Sequence, residues 1–231
     1  DMEVLDRRLQ KTQKVAKADK SAQWEVDLLL KVKDVIDQGL SARTLDLSEE
    51  EQEYVRSLDL LSYKPIIYVA NVSEEEAAAG DDNEYVKLVR EFAAKEGSDV
   101  VVTSAKLESE IAELEDDEKA AFFEELGITE SGLDKLVKAS YHLLDLISFL
   151  TAGPQEVRAW TIKRGTKAPQ AAGRIHSDFE KGFIRAETVA YDDLVATGGN
   201  LVTAKEKGLI RSEGKEYVVK DGDVILFRFN V

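Results

Sequence analysis

The stretch PIIYVANVSEEE, residues 65–76, decides how the middle of the chain folds. Residues 66–70 form an apolar run with the length and the β-branched or aromatic content of a buried strand. A run without polar alternation predicts a strand covered on both faces, as in a parallel sheet between helices. Ligands of such sheets bind beyond the carboxyl ends of the strands, and Asn71 falls at that end.

The same stretch also has a purely structural interpretation. Ser73 followed by Glu76 fits the S/T-x-x-E capping box at the start of a helix. Glu74 and Glu75 would then lie in the first helical turn, where the positive end of the helix dipole favours acidic side chains. Taken alone, these residues favour the helix start over a ligand site, because such boxes are common.

A second apolar run, DVVVT at residues 99–103, predicts another strand. Between the two runs lies a helical pattern that ends at Gly97 and has its apolar residues on one face: Tyr85, Leu88, Val89 and Phe92. A strand, a helix and a strand of this size predict a parallel crossover, which brings residues 104–106 beside Asn71. Two strands cannot form a covered sheet, so the rest of the sheet is expected from outside this chain.

The flanking segments predict two further domains. Residues 1–62 read as a charged helical hairpin, coiled-coil-like, with a short third helix that starts at a capping box of Ser48 and Glu51. Residues 63–149 hold the two strands, and helical patterns continue through residue 148. Residues 150–231 change to short strands and turns, which predicts a small α+β domain.

Composition and charge restrict the kinds of partner that each part of the chain can bind, but they do not identify one. The 231 residues carry a net charge of −15, with −17 in residues 1–150 and +2 in residues 151–231. The first part should therefore repel a phosphate backbone, whereas the second could meet one. The chain has no cysteine, which excludes disulfides and fits a reducing cytosol, and no apolar run long enough to span a membrane.

Two loops together point to a nucleotide base. Guanine-nucleotide-binding P-loop proteins grip the base with N-K-x-D and S-A-K loops at neighbouring strand ends. Here the first loop is N-x-x-E, from Asn71 to Glu74, and the second is the S-A-K of residues 104–106. An Asp at the fourth position would accept two hydrogen bonds from guanine, and a longer Glu should loosen that selection.

These loops and the C-terminal region resemble the YchF/Obg-like ATPase family over the whole chain. The most specific stretches are FLTAGPQEVRAWTIKRGTKAPQAAGRIHSDFEKGFIRAETVAYDDL, residues 149–194, and VKDGDVILFRFNV, residues 219–231. The resemblance implies a multidomain fold of α/β and α+β parts. It comprises the remainder of a P-loop G domain with its parallel β-α-β unit, an inserted helical hairpin, and a C-terminal TGS (β-grasp) domain.

The resemblance also assigns roles to residues. Asn71 and the Val72 backbone would contact the purine edge, Glu74 would stand at the specificity position, and a second base loop would contain Ser104, Ala105 and Lys106. Because TGS domains occur in translation-related proteins, contact with a ribosome or its RNA is implied. The basic candidates for it are Lys163, Arg164, Lys167, Arg174, Lys181 and Arg185.

One feature of the family is missing from this sequence. No G-x-x-x-x-G-K-[ST] motif occurs, and no Mg²⁺-binding switch segment is recognisable. The chain is therefore expected to be the C-terminal portion of a cytoplasmic Obg-like ATPase that prefers ATP to GTP and uses Mg²⁺. No residue is assigned to catalysis or to a metal, and this portion alone should not hydrolyse nucleotide.

A different class of function stays open. The helical hairpin and the β-grasp domain could be a non-catalytic interaction module that docks on a ribosome, an RNA or a protein. In that case N-x-x-E and S-A-K would be only turns and helix caps.

Overall fold

The apolar run after Pro65 forms a strand and ends at the asparagine. A computed structural model describes residues 1–79, 83–153 and 156–230. In it, β1 (Ile67–Asn71) pairs in parallel with β2 (Asp99–Thr103), with Asn71 opposite Thr103. Between them lie α4 (Glu74–Ala79) and α5 (Glu84–Glu96), so the predicted β-α-β unit is confirmed. Gly97 ends α5 with a φ of 66°, a left-handed conformation that glycine adopts without strain.

The chain divides into two compact units, Asp1–Ala139 and Ser140–Val231. The first unit begins with a helical pair joined by residues 19–22, whose helices pack against each other. The helices of this unit that precede or follow the two strands are α1 (Met2–Ala18), α2 (Gln23–Asp37), α3 (Glu49–Arg56), α6 (Ala105–Glu113), α7 (Asp116–Leu126) and α8 (Gly132–Leu143), the last of which continues into the second unit.

The helical pair has its own apolar core. Leu5 of α1 packs with Leu29 and Val32 of α2, and Val55 of α3 and Leu60 belong to the same cluster; these five are at most 2% exposed. The capping box predicted for α3 is present, because the Glu51 amide donates to Ser48 Oγ and the Ser48 amide donates to the Glu51 carboxylate. This region therefore folds around buried aliphatic side chains.

The second unit is built on a mixed five-stranded sheet with the order β4-β3-β7-β5-β6. Its central pair, β3 and β7, is parallel, and the other neighbours are antiparallel. The strands are β3 (Leu146–Ala152), β4 (Val157–Lys163), β5 (Phe183–Ala190), β6 (Arg211–Glu213) and β7 (Asp223–Phe229), and the helices are α9 (Ala168–Ile175), α10 (Ser177–Lys181), α11 (Tyr191–Val195) and α12 (Leu201–Glu206).

Both faces of this sheet carry apolar clusters. Phe149 and Phe227, whose rings meet edge to face at 5.8 Å, belong to the main core together with Ala171 of α9. On the opposite face, Val189 packs with Leu194 of α11. The main core therefore lies between the sheet and the helices that connect β4 to β5.

The helical pattern expected to continue through residue 148 ends earlier, so that prediction was wrong. Helix α8 ends at Leu143, and β3 begins at Leu146. Asp145 separates them with a φ of 52°, which a helix cannot contain. From Leu146 onward, Ile147 and Phe149 alternate with less buried neighbours, the period of a strand. The sheet and the second unit consequently start before the predicted domain boundary at residue 150.

A partly buried carboxylate joins the helical region to the strand that carries Asn71. Glu96, at the end of α5, accepts hydrogen bonds from Tyr68 Oη at 2.6 Å, Arg43 Nη2 at 2.8 Å and Ser41 Oγ at 2.9 Å. These donors, Tyr68 and Arg43 foremost, lower the pKa of Glu96 to about 2. The ionised carboxylate therefore holds residues before and after β1 in one arrangement.

Replacing Glu96 by glutamine should lower the free energy of unfolding by about 1–2 kcal/mol at neutral pH. Because the pKa is lowered in the folded chain, this contribution is present above the ordinary value of 4.5 and is lost as the pH falls towards about 2. Urea unfolding at pH 7 and pH 3 should show that the difference in free energy of unfolding between parent and variant is smaller at pH 3. Glu91→Gln, an exposed change on the same helix, is the control, and a difference independent of pH would contradict this role.

Candidate functional site

Two polar loops lie side by side at the carboxyl ends of β1 and β2. The parallel register that places Asn71 opposite Thr103 puts residues 71–74 next to residues 104–106. The Val72 amide donates to the Thr103 carbonyl at 2.9 Å, which extends the strand pairing into the first loop. The two loops that were predicted to meet are therefore adjacent at this edge of the sheet, and we call the space between them the crevice.

Asn71 links the two loops through its side chain. Its Oδ1 accepts a hydrogen bond from the Ala105 amide at 2.9 Å, across 34 residues of sequence. Because a backbone N–H can only donate, this contact assigns the oxygen end of the amide to Ala105. The Nδ2 group is then the end of the side chain that is left to donate to a ligand. Asn71 and Ala105 are both exposed, so a ligand can reach them.

Glu74 and Lys106 form an ion pair across the same crevice. Glu74 begins α4 and Lys106 lies in the first turn of α6, so the pair links the starts of these two helices. Glu74 is the main cause of a raised pKa at Lys106, and Glu110 adds to it. The carboxylate of the first loop and the lysine of the second therefore neutralise each other.

Ser104 has a structural role at the start of α6. It is 3% exposed, and its Oγ accepts from the Leu107 amide at 3.5 Å as the helix N-cap. Its side chain is thus directed into its own helix, which leaves the backbone of residues 104–106 to line the crevice.

The capping box in the first loop exists beside the crevice. The Glu76 amide donates to Ser73 Oγ at 3.3 Å, and the Ser73 amide donates to Glu76 Oε2 at 3.1 Å. Glu76 Oε1 also accepts from Asn83 Nδ2 at 2.8 Å, and these contacts lower the pKa of Glu76, Asn83 most of all. Ser73 and Glu76 therefore fix the helix start while Asn71 reaches the other loop, so the two interpretations of this stretch are compatible.

Two further residues near the loops, Glu108 and Gly132, were not identified from the sequence. Glu108 of α6 accepts from the Gly132 amide at 2.6 Å and the Leu133 amide at 3.1 Å, and thereby holds the first turn of α8. A side chain on Gly132 would meet Thr103 Oγ1 at 1.9 Å, so α8 begins in contact with the end of β2. Because Glu108 and Gly132 are far apart in the sequence, no local motif predicts their contact.

The six basic candidates of the second unit are only partly brought together. Lys163 and Arg174 line an open concavity of about 600 Å³ between β4 and α9. Three others pair with carboxylates, Arg164 with Asp145, Lys167 with Glu216 and Arg185 with Glu187. For Lys181 no ion pair is found within the described part of the chain.

Two negative findings apply to the described residues. No group of three or more His, Cys, Asp or Glu side chains is placed there to hold a metal ion. None of the helices in residues 1–79, 83–153 and 156–230 is both long and apolar enough to cross a bilayer.

Comparison with known proteins agrees with this architecture. The family model YchF-GTPase_C, described as a protein of unknown function (DUF933), matches residues 146–230. The "Ribosome-binding ATPase YchF" of Bacillus subtilis (strain 168) is 59% identical over 232 residues, which cover 100% of this chain and 63% of that protein. "Obg-like ATPase 1" of Gallus gallus is 40% identical over 236 residues, covering 100% of this chain and 59% of that protein.

A solved structure shows the same fold. The structure of the Schizosaccharomyces pombe YchF GTPase superposes with a TM-score of 0.87 at 32% identity, covering 99% of this chain and 62% of that one. The molecule is thus a mixed α/β protein of the kind seen in YchF GTPase structures. The chain belongs to the YchF family, as the resemblance in its loops predicted. It spans less than two thirds of the length of these relatives.

Proposed function

We propose that this chain carries the purine-binding loops of a ribosome-associated, Obg-like nucleotide-binding ATPase. The observation that carries the proposal is the hydrogen bond from the Ala105 amide to Asn71 Oδ1, which joins the N-x-x-E and S-A-K loops into one crevice. A helix cap alone does not require this contact, because Ser73 and Glu76 cap α4 without Asn71. The relatives named as ATPases support the same conclusion.

Each side chain then has a defined task. Asn71 Nδ2 and the Val72 backbone would hydrogen-bond the purine edge, and the backbone of Ser104 and Ala105 would line the other side. Lys106 would lie along the ring face, and Glu74 would meet the edge that distinguishes adenine from guanine. Because Glu74 and Lys106 pair in the free chain, a bound base would have to replace or accommodate that ion pair.

Exposed apolar surface supports a larger nucleotide-binding domain. The described residues contain only two strands in this sheet, and Val69 of β1 is 49% exposed. Leu88 and Phe92 on α5 are also more than half exposed. A parallel sheet is normally covered on both faces, so we propose that segments outside this chain complete the sheet and supply the phosphate-binding loop. This chain would then be the C-terminal portion of the intact protein.

The strand order of the second unit supports its assignment as a TGS (β-grasp) domain. The parallel strands β3 and β7 are flanked by β4 and β5, each antiparallel to its neighbour. In the sequence, α9 lies in the connection from β4 to β5. We propose this unit as the TGS domain, residues 1–62 as the coiled-coil-like helical insertion, and the residues between these two parts as the end of the G domain.

Hydrolysis would need parts that this sequence does not contain. Phosphoryl transfer depends on a phosphate cradle, Mg²⁺ and a positioned water. Mg²⁺ would neutralise the phosphates of the bound nucleotide, and we propose that its ligands come from outside this chain. Within this chain, the fit to a nucleotide rests on Asn71, whose Nδ2 group is left to donate to a purine edge because its Oδ1 accepts from the Ala105 amide.

Preference for ATP is proposed from Glu74. The shorter Asp of guanine-specific loops accepts two hydrogen bonds from guanine, whereas adenine has no 2-amino group to donate. Replacing Glu74 by Asp in the intact protein should therefore shift relative affinity toward GTP by about 10-fold. Titrations with fluorescent ATP and GTP measure the ratio, and Glu75→Asp on the same helix turn is the control. An unchanged ratio in Glu74→Asp would remove Glu74 from the specificity position.

The intact wild-type protein provides the test of the proposed function itself. It should bind both fluorescent nucleotides, ATP more tightly, while this chain alone should bind neither and hydrolyse neither. If the intact protein binds no nucleotide, the crevice is not a base site, and the non-catalytic interaction module becomes the better hypothesis.

Ribosome contact is proposed from the relatives and from one surface. The Bacillus subtilis relative is named as a ribosome-binding ATPase, which also supports a cytoplasmic location. Lys163 and Arg174 share a concavity on the second unit, which could receive an RNA phosphate. Arg164, Lys167 and Arg185 are neutralised by carboxylates and contribute less to such a contact.

A further inference from the structure

The first turn of α8 is held by a residue from another helix. A helix leaves its first backbone N–H groups without partners inside the helix. Here Ser131 Oγ accepts from the Asp134 amide at 3.0 Å, as an ordinary cap would. The Gly132 and Leu133 amides donate instead to the two oxygens of Glu108, at 2.6 Å and 3.1 Å. Glu108 therefore ties α6 to α8, and we call this set of contacts the α6–α8 clamp.

The clamp lies against the end of β2. A Cβ on Gly132 would approach Thr103 Oγ1 to 1.9 Å and Thr103 Cβ to 2.6 Å, so only glycine permits this contact. Its backbone does not need a positive φ, which means that closeness alone accounts for the glycine. Thr103 Oγ1 also lies 3.5 Å from Glu108 Oε1. The start of α8, the carboxylate and the strand end therefore form one packed seam.

Both base loops connect directly to this seam. Thr103 immediately precedes Ser104, and its carbonyl accepts from the Val72 amide at 2.9 Å. Glu108 lies in the same helix as Ala105 and Lys106, one turn further along. A shift of Thr103 or of the first turn of α6 would therefore move Val72 and Ala105 relative to Asn71.

We propose that Glu108 is a positioning residue for the purine site, which sets the geometry of the base loops through the α6–α8 clamp. This inference rests on the proposed nucleotide binding and adds a residue that does not touch the base. The clamp also makes nucleotide affinity depend on the start of α8. By linkage, a bound nucleotide must stabilise the clamp as much as the clamp favours binding.

The test uses the intact protein and fluorescent ATP. Glu108→Ala should weaken binding by about 5- to 10-fold, because the loops lose their fixed spacing. Gly132→Ala places a methyl group against Thr103 in the same seam and should weaken binding by a similar factor. Glu113→Ala, an exposed change on the same helix, is the matched control and should bind as the parent does. Thermal unfolding of each variant shows that titrations are made on folded protein.

Hydrogen exchange distinguishes positioning from a purely structural cap, because ATP would not change the exchange rates of a cap that is independent of the purine site. Adding ATP to the parent should slow exchange at the Gly132 and Leu133 amides, and this slowing should be absent in Glu108→Ala. If the parent binds ATP while both seam variants bind equally well, the inference is wrong and the proposed function stands. If the parent binds no ATP, the proposed function fails and the inference fails with it. If Gly132→Ala does not fold, the ATP affinity of Glu108→Ala alone tests the inference.

Discussion

Replacing Asn71 by alanine in the intact protein should lower its affinity for ATP by about 10- to 100-fold. The substitution removes the Nδ2 donor that would face the purine and the Oδ1 acceptor that holds the Ala105 amide at 2.9 Å. Loss of one hydrogen bond to the base and loosening of the second loop should act together. Titration with fluorescent ATP measures the effect directly.

Ser73→Ala is the informative control for this prediction. It removes the helix cap of the same loop, which should cost about 1 kcal/mol of stability, and leaves the Asn71 contact in place. Affinity for ATP should therefore stay within about twofold of the parent, since an interaction away from the base is lost. If Ser73→Ala weakens binding as much as Asn71→Ala does, the stretch acts only as a strand and a helix cap.

Replacing Phe149 by alanine should lower the free energy of unfolding of the second unit by about 3–5 kcal/mol. Phe149 is 0% exposed and belongs to the main core, where its ring meets Phe227 edge to face. Truncation leaves a cavity where the sheet packs on α9, which the surrounding side chains can fill only in part. A loss of this size is a large share of the total stability of a small domain.

The two tryptophans allow this effect to be assigned to one unit. Trp24 lies in the first unit and Trp160 in the second, so a Trp24→Phe background leaves a reporter for the second unit alone. Urea unfolding followed by Trp160 fluorescence should show the loss in Phe149→Ala. Val157→Ala changes a residue of the same sheet that is 71% exposed and should shift the midpoint little. Equal losses in both variants would contradict the assignment of the core.

The parts of the fold that local sequence determines were predictable. The apolar runs of β1 and β2 and the box of Ser73 and Glu76 depend on residues a few positions apart, and the structure has them where they were expected. The segment around Leu146 was assigned wrongly because LISFL suits either a helix or a strand. What decides it is pairing with β4 and β7, which are distant in sequence.

The candidate site divides in the same way. Asn71 and Ala105 could be named because their motifs are short and follow predicted strands. Glu108 and Gly132 could not, since these two residues lie 24 positions apart on different helices and neither belongs to a motif. The ion pair of Glu74 with Lys106 likewise depends on how α4 and α6 are placed at the sheet edge.

The most direct test of the purine site is an experimental structure of the intact protein with a bound ATP analogue. If the two loops form the site, the base lies between them, with a ring nitrogen within about 3.5 Å of Asn71 Nδ2. Lys106 should lie along the ring face in that structure. A base bound elsewhere, with the bond between Asn71 and Ala105 intact and the crevice empty, would contradict the assignment.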